Sequence, residues 1–152
     1  MKLLVCAMEA SSNIHLKELK KYLNNDVELV GVFDKELGNP LYDLTALAIM
    51  GIVDALKKLR FFFKLRNELV ELAKDSDKVL LMDSSGFNLP LAKKLRETYP
   101  NKEIIYYILP QAWAWKKGRV AKLEKYCTKL CSIIPFESEM YSDKNKITYV
   151  GH

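Results

Sequence analysis

At 152 residues the chain is long enough to bury one sizeable core and too short for a complete two-domain enzyme. With 49% apolar and 28% charged residues and no low-complexity tract, its composition excludes disorder as the main state. An excess of 24 Lys+Arg over 19 Asp+Glu gives +5 at pH 7, which favours an anionic partner: nucleic acid, a phosphorylated ligand or an acidic membrane surface.

Short apolar, β-branched runs alternate with stretches of helical period, the pattern of successive strand–helix units around a parallel sheet. Lys2–Ala7 predicts a fully buried first strand, and Ile14–Leu23 a helix with Leu16, Leu19 and Leu23 along one face. Val27–Phe33 is the second strand. After the turn residues Gly38, Asn39 and Pro40, Leu44–Lys74 reads as helical with a break near Gly51, and Lys78–Met82 returns to strand. A helix over Asn88–Thr98, a strand over Glu103–Ile108, a basic helix over Lys116–Tyr126 and a strand over Lys129–Ile134 follow. Phe136–Ser142 is a short helix and Thr148–Val150 enters a last strand. This order predicts an α/β fold, a Rossmann-like doubly wound parallel sheet, in one domain over residues 1–152.

In such sheets ligands bind beyond the carboxyl ends of the strands, which singles out the loops Met8–Asn13, Asp83–Asn88, Leu109–Trp115 and Pro135–Glu139. The first lacks Gly-x-Gly-x-x-Gly, so a nicotinamide-dinucleotide enzyme is disfavoured and no cofactor is expected. Ser12 or Asn13 is expected to cap the first helix, while Glu9 has two readings, a cap or a substrate contact. Asp83 ends its strand over the sheet's carboxyl edge, where a carboxylate can take a proton from a bound hydroxyl. Its other reading, a cap for the next helix, is weaker because Ser85 and Asn88 already offer capping groups. His15 lies within the first helix and His152 is the last residue, so no Ser-His-Asp or Cys-His arrangement supports a hydrolase. Cys6, Cys127 and Cys131 have no credible zinc partners and read as buried thiols in a reducing compartment. The apolar run at the N-terminus is too short for a signal peptide, and no segment has the apolar length to span a bilayer, so the cytoplasm is expected.

Two further stretches bear on binding. Trp113 and Trp115, if extended, face the same way and make a hydrophobic wall, or else pack in the core. In Asp54–Arg66, Val53, Leu56, Leu59, Phe62 and Phe63 recur at three- and four-residue steps, and Lys57, Lys58, Arg60, Lys64 and Arg66 fill much of the rest. Three consecutive phenylalanines cover too much of a helix's circumference to be buried on one side, so some aromatic surface is expected beside cations, as in interfacial helices. No nucleic-acid module is recognisable, which makes nucleic acid the least favoured anionic partner.

Several of these segments together resemble the lipid-A-disaccharide synthases of Gram-negative bacteria. They are residues 106–116 (YYILPQAWAWK), residues 134–137 (IPFE) and residues 149–152 (YVGH). Residues 48–53 (AIMGIV), Asp83 with Phe87 and Asn88, and Glu9 with Ser11 match as well. The chain departs from the family's Gly-Glu-x-Ser-Gly-Asp at Met8–Asn13, where both glycines and the aspartate are replaced. It also lacks the second aspartate of Ile-Asp-x-Pro-Asp-Phe-Asn, with Gly86 in that place.

The resemblance implies the N-terminal, acceptor-side half of a GT-B glycosyltransferase of family 19. The implied reaction is inverting transfer of diacylglucosamine from UDP-diacylglucosamine to lipid X (diacylglucosamine 1-phosphate), with release of UDP. It implies Asp83 as the general base with Glu9 beside it, and Ser11, Asn88, Gln111, Trp113 and Trp115 as acceptor-binding residues. Val53, Leu56, Leu59, Phe62 and Phe63 become the membrane-facing set, on the cytoplasmic face of the inner membrane. No metal is implied, and a homodimer is compatible with it. A UDP-sugar-binding domain is absent from this chain, so the chain alone is expected to bind lipid and not to turn over. The alternatives are a non-catalytic membrane or acceptor-binding module and another sugar-nucleotide GT-B transferase, MurG-like in its acceptor.

Overall fold

A computed structural model describes residues 1–111 and 118–152. Its strands are β1 (Lys2–Ala7), β2 (Glu28–Val32), β3 (Lys78–Met82), β4 (Glu103–Tyr107), β5 (Lys129–Ser132) and β6 (Ile147–Tyr149). They form one all-parallel sheet in the order β2-β1-β3-β4-β5-β6. The described helices are α1 (Ala10–Lys20), α2 (Leu44–Gly51), α3 (Ala55–Ala73), α4 (Ser85–Thr98) and α5 (Gly118–Tyr126), with short 3-10 segments at Lys35–Leu37 and Pro135–Met140. The helical stretch expected over Leu44–Lys74 is thus broken just past Gly51, where Asp54 caps α3 by accepting from the Lys57 N–H. Phe136–Ser142, expected as a short helix, is instead the tighter 3-10 turn, which carries Pro135 at its start.

The order reverses direction once, between β1 and β3. Right-handed connections then put α1 on one face and α3, α4 and α5 on the other. The side chains sort accordingly with the two-residue period of a strand. Leu4, Cys6, Val79, Leu81, Ile104 and Tyr106 pack with α3, α4 and α5, whereas Leu3, Val5, Ala7, Leu80 and Met82 pack on the face of α1 with Leu16 and Phe33. Apolar residues on both faces are what a central strand of a parallel sheet requires, and β1 is buried from Leu3 to Ala7. At the amino edge, Glu103 lies 3.0 Å from both Lys78 and Lys129, clasping β3, β4 and β5. Hydrogen bonds from the two lysines hold its carboxyl below the usual carboxylate value. Burial pushes the Cys6 and Cys127 thiols up, the latter to about 12, so both are inert packing groups.

Gly31 is the one glycine that strand packing demands. It sits in β2 opposite Val5 at φ +117°, and a Cβ there would lie 2.2 Å from the Val5 carbonyl oxygen. Gly31→Ala is expected to destabilise the chain by more than about 1 kcal/mol, because the clash is with backbone and the φ disfavours any side chain. Gly51→Ala, with nothing within 4 Å, is the control and is expected to stay within about 1 kcal/mol of neutral. Urea denaturation of both variants checks the pair, and equal midpoints would overturn the assignment.

Candidate functional site

The switch point between β1 and β3 places two acidic residues side by side beyond the strand ends: Glu9 after β1 and Asp83 after β3. Crevices at such points are where open α/β sheets bind ligands.

The β1–α1 turn is built differently from the sequence expectation. α1 begins at Ala10, four residues before Ile14, and Glu9 occupies the N-cap position in place of Ser12 or Asn13. Asn13 is drawn inward instead. Its buried amide donates to the carbonyls of Ala7 and Glu9 at 2.9 and 2.8 Å and accepts from the Asp34 N–H at 2.8 Å, tying the ends of β1 and β2 to the helix. Ser12 turns back on the cap, its hydroxyl donating to the Glu9 carbonyl and accepting from the Glu9 N–H. With Asn13 and Ser12 holding the backbone, the Glu9 side chain is left exposed, and Ser84 Oγ donates to its Oε1 at 2.9 Å. Ser11 is exposed in the first turn of α1, beside Glu9 in sequence.

Asp83 sits on strained backbone. Asp83 and Ser84 have φ of +50° and +40°, and Ile108 at the exit of the neighbouring β4 has φ of +62°. Non-glycine residues rarely adopt this region, least of all a β-branched one, and such outliers gather at functional sites. A clamp on the Asp83 carbonyl over-determines the geometry. Tyr106 Oη and Asn88 Nδ2 both donate to that oxygen, the latter at 3.0 Å. The same Asn88 amide reaches the Met82 carbonyl at 3.0 Å. Asp83 N–H in turn donates to the Tyr107 carbonyl, locking β3's end to β4. Burial keeps the Tyr106 phenol well above its usual value, so it remains a donor.

Of the residues expected to bind an acceptor, Asn88 is 0% exposed, and its amide is turned to the backbone beneath Asp83. Its contacts fix the backbone on which Asp83 sits. Gln111 is exposed beyond Ile108, while Trp113 and Trp115 lie outside the described residues. Tyr106 and Ser84 were not singled out from the sequence. The period-2 alternation that puts Tyr106 beside Ile104 on the α3–α5 face, and its place at the head of the block 106–116, were signals available for it.

The apolar set on α2 and α3 is also rearranged. Leu56, Leu59 and Phe63 are exposed, and Ile49 and Ile52 join them, Ile52 at 85%. Val53 is half-buried. Phe62, expected to face outward, is turned inward against Phe61 and Phe87, with ring centroids 5.4 and 5.8 Å away, because Tyr42 and Phe87 supply an aromatic seat from distant parts of the chain. No helix among the described residues is long and apolar enough to cross a membrane.

Burial first, and the neighbouring Glu9 charge second, push the Asp83 carboxyl up. The native state therefore holds that proton more tightly than the unfolded chain. The resulting cost to stability is absent below the ordinary value of 3.8 and fully present above the raised one. Asp83→Asn keeps a side chain tolerated at positive φ. It is expected to raise Tm at about pH 7 and to lose that gain towards about pH 3 in thermal denaturation. An equal gain at both ends would contradict this account.

The family model for lipid-A-disaccharide synthetase matches residues 3–152. Among curated relatives, a lipid-A-disaccharide synthase of Helicobacter pylori (strain HPAG1) is 53% identical over 99% of this chain and 41% of its own length. That of Helicobacter acinonychis (strain Sheeba) is 50% identical over the same shares. One from Campylobacter jejuni (strain RM1221) is 41% identical over 98% of this chain and 43% of its own length. The chain thus spans about two fifths of the length of the curated relatives it matches. The match begins in β1 and continues through every strand of the sheet to the final residue, so the chain belongs to the lipid-A-disaccharide synthetase family.

Proposed function

We propose that this chain is the acceptor-side half of an inverting glycosyltransferase that moves diacylglucosamine from UDP-diacylglucosamine onto lipid X. The observation that carries the reading is the carboxylate of Asp83, held at the switch point by a clamped carbonyl and raised by burial and by Glu9. A carboxylate raised in this way is a stronger base for an acceptor hydroxyl. In the reaction, Asp83 takes the proton of the lipid X hydroxyl as that oxygen bonds to the anomeric carbon and the carbon–oxygen bond to UDP breaks. Glu9, steadied by Ser84, keeps the base raised, and Ser11 and Gln111, both exposed, would contact the acceptor. The donor is proposed to be held mainly by the portion of the relatives that this chain does not match.

The test is a chimera in which these 152 residues replace the matching part of the Helicobacter pylori relative. Asp83→Asn in the chimera is expected to lower kcat by about 10²–10⁴. Glu9→Gln removes a negative charge beside Asp83 and should shift the acid limb of the pH–rate profile to lower pH. Full activity of the Asp83→Asn chimera would remove Asp83 from the chemistry.

The acceptor and donor are both acylated, and the reading places the chain on the cytoplasmic face of the inner membrane. Ile49, Ile52, Leu56, Leu59 and Phe63 would enter the headgroup boundary beside Lys57, Lys58 and Arg60. A Leu59→Ser, Phe63→Ser variant is expected to lose sedimentation with anionic vesicles while keeping its Tm. Phe62→Ser is expected instead to lower Tm, since that ring is seated on Phe61 and Phe87. Unchanged sedimentation of the double variant would argue against membrane contact.

A further inference from the structure

The outer side of the helical layer carries a cleft that the transfer reaction leaves unused. α4 packs between α3 and α5, and a cavity of about 410 Å³ opens over it. Its charged and aromatic lining comes from all three helices: Arg66 from α3, Lys93, Lys94 and Glu97 from α4, and Lys122 and Tyr126 from α5. Glu97 is the one carboxylate among the described lining residues, and it is engaged at 3.9 Å by Lys93. Arg66, Lys94 and Lys122 have no side-chain hydrogen bond or ion pair among the described residues.

Arg66 adds a second, independent sign. Its Nε is buried and has no hydrogen-bond acceptor, while its guanidinium lies 4.3 Å over the Phe63 ring. A buried guanidinium N–H without an acceptor is costly, and cations gathered over one cleft repel. One small anion with several acceptor oxygens, seated in the cleft that Arg66 lines, relieves that repulsion and gives the guanidinium a charged partner. Phosphate suits this better than a single carboxylate, because it offers more oxygens and up to two charges to cations arriving from three directions. The cleft also borders the exposed apolar turn of α3, since Arg66 stacks on Phe63 and follows it by one turn on the same stripe.

We infer that the α3–α4–α5 cleft is a phosphate-binding site, in which Arg66, Lys94 and Lys122 take the phosphate group of a lipid headgroup or a free phosphate. It goes beyond the transferase reading, because none of these residues takes part in the Asp83 crevice. The test uses the 152-residue chain and two probes. In the first, amide NMR shifts are followed as inorganic phosphate replaces chloride at constant ionic strength. In the second, sedimentation is compared between vesicles of phosphatidylcholine alone and vesicles also containing phosphatidylglycerol. The variant is Lys94→Gln, Lys122→Gln, both residues being exposed and their side chains making no hydrogen bond or ion pair among the described residues.

Saturable shifts at residues 66, 94 and 122, weakened about tenfold in the variant, are the expected result and correspond to about 1.4 kcal/mol. Phosphatidylglycerol-dependent sedimentation that the variant reduces assigns the phosphate to a lipid headgroup. Saturable shifts without such dependence assign it to a free phosphate. Shifts that do not saturate, that chloride reproduces, or that survive in the variant, together with vesicle binding indifferent to the variant, overturn the site. Vesicle binding lost only in Leu59→Ser, Phe63→Ser concerns the membrane reading and leaves the phosphate titration to decide the cleft by itself.

Discussion

The carbonyl oxygen of Asp83 is the point to which the candidate site is tied. Two buried donors, the Tyr106 hydroxyl and the Asn88 amide, converge on it from β4 and α4. Their grip holds residues 83 and 84 in the left-handed region, where neither would settle alone. Once the backbone is bent this way, the chain enters α4 directly at Ser85, and the Ser84 hydroxyl comes within reach of Glu9. The carboxyl of Asp83 is then half-buried beside a second acid. Removing either donor would leave the bend held by the other alone.

The local electrostatics follow from that bend and not from the chain's overall charge. A protein of +5 would on average pull carboxyl groups down, yet Asp83 moves up, because burial and Glu9 act at close range. At the opposite, amino edge of the sheet, Glu103 is pulled down by two lysines in a purely structural clasp. The two edges of one sheet thus hold carboxylates in opposite senses. One lowers its charge state's free energy by joining strands, and the other raises it by burial beside a second acid.

The parallel sheet was legible because its central strands are apolar on both faces and are separated by helical periods; β1 and β3 fall on the expected residues. The start of α1 was not, because Asn13 is spent on bonds to the ends of β1 and β2 and Ser12 folds back on the Glu9 backbone, leaving Glu9 at the cap. The left-handed pair at Asp83 and Ser84 carried no glycine or asparagine to announce it. Its cause is Tyr106, 23 residues away. The three phenylalanines show the same limit: helical spacing put Phe62 with Phe63, and only the distant rings of Tyr42 and Phe87 decide that Phe61 and Phe62 turn inward. Positions 9 and 83 were readable as carboxylates at strand ends. What makes them a site is long-range packing.

The central place of β1 also governs how the chain can be made. β1 is synthesised before the other five strands of its sheet, is buried on both faces and is flanked by β2 and β3. Its partner β3 begins at Lys78, and the Lys2 N–H finds its acceptor on Asp77, 75 residues later. At a translation rate of about 5–20 residues per second, the most apolar strand waits roughly 4–15 s for that neighbour. Until then one of its edges has only solvent, nascent helix or a chaperone against it, so the interval between emergence of residues 7 and 82 is the window in which this chain is most exposed to misassembly.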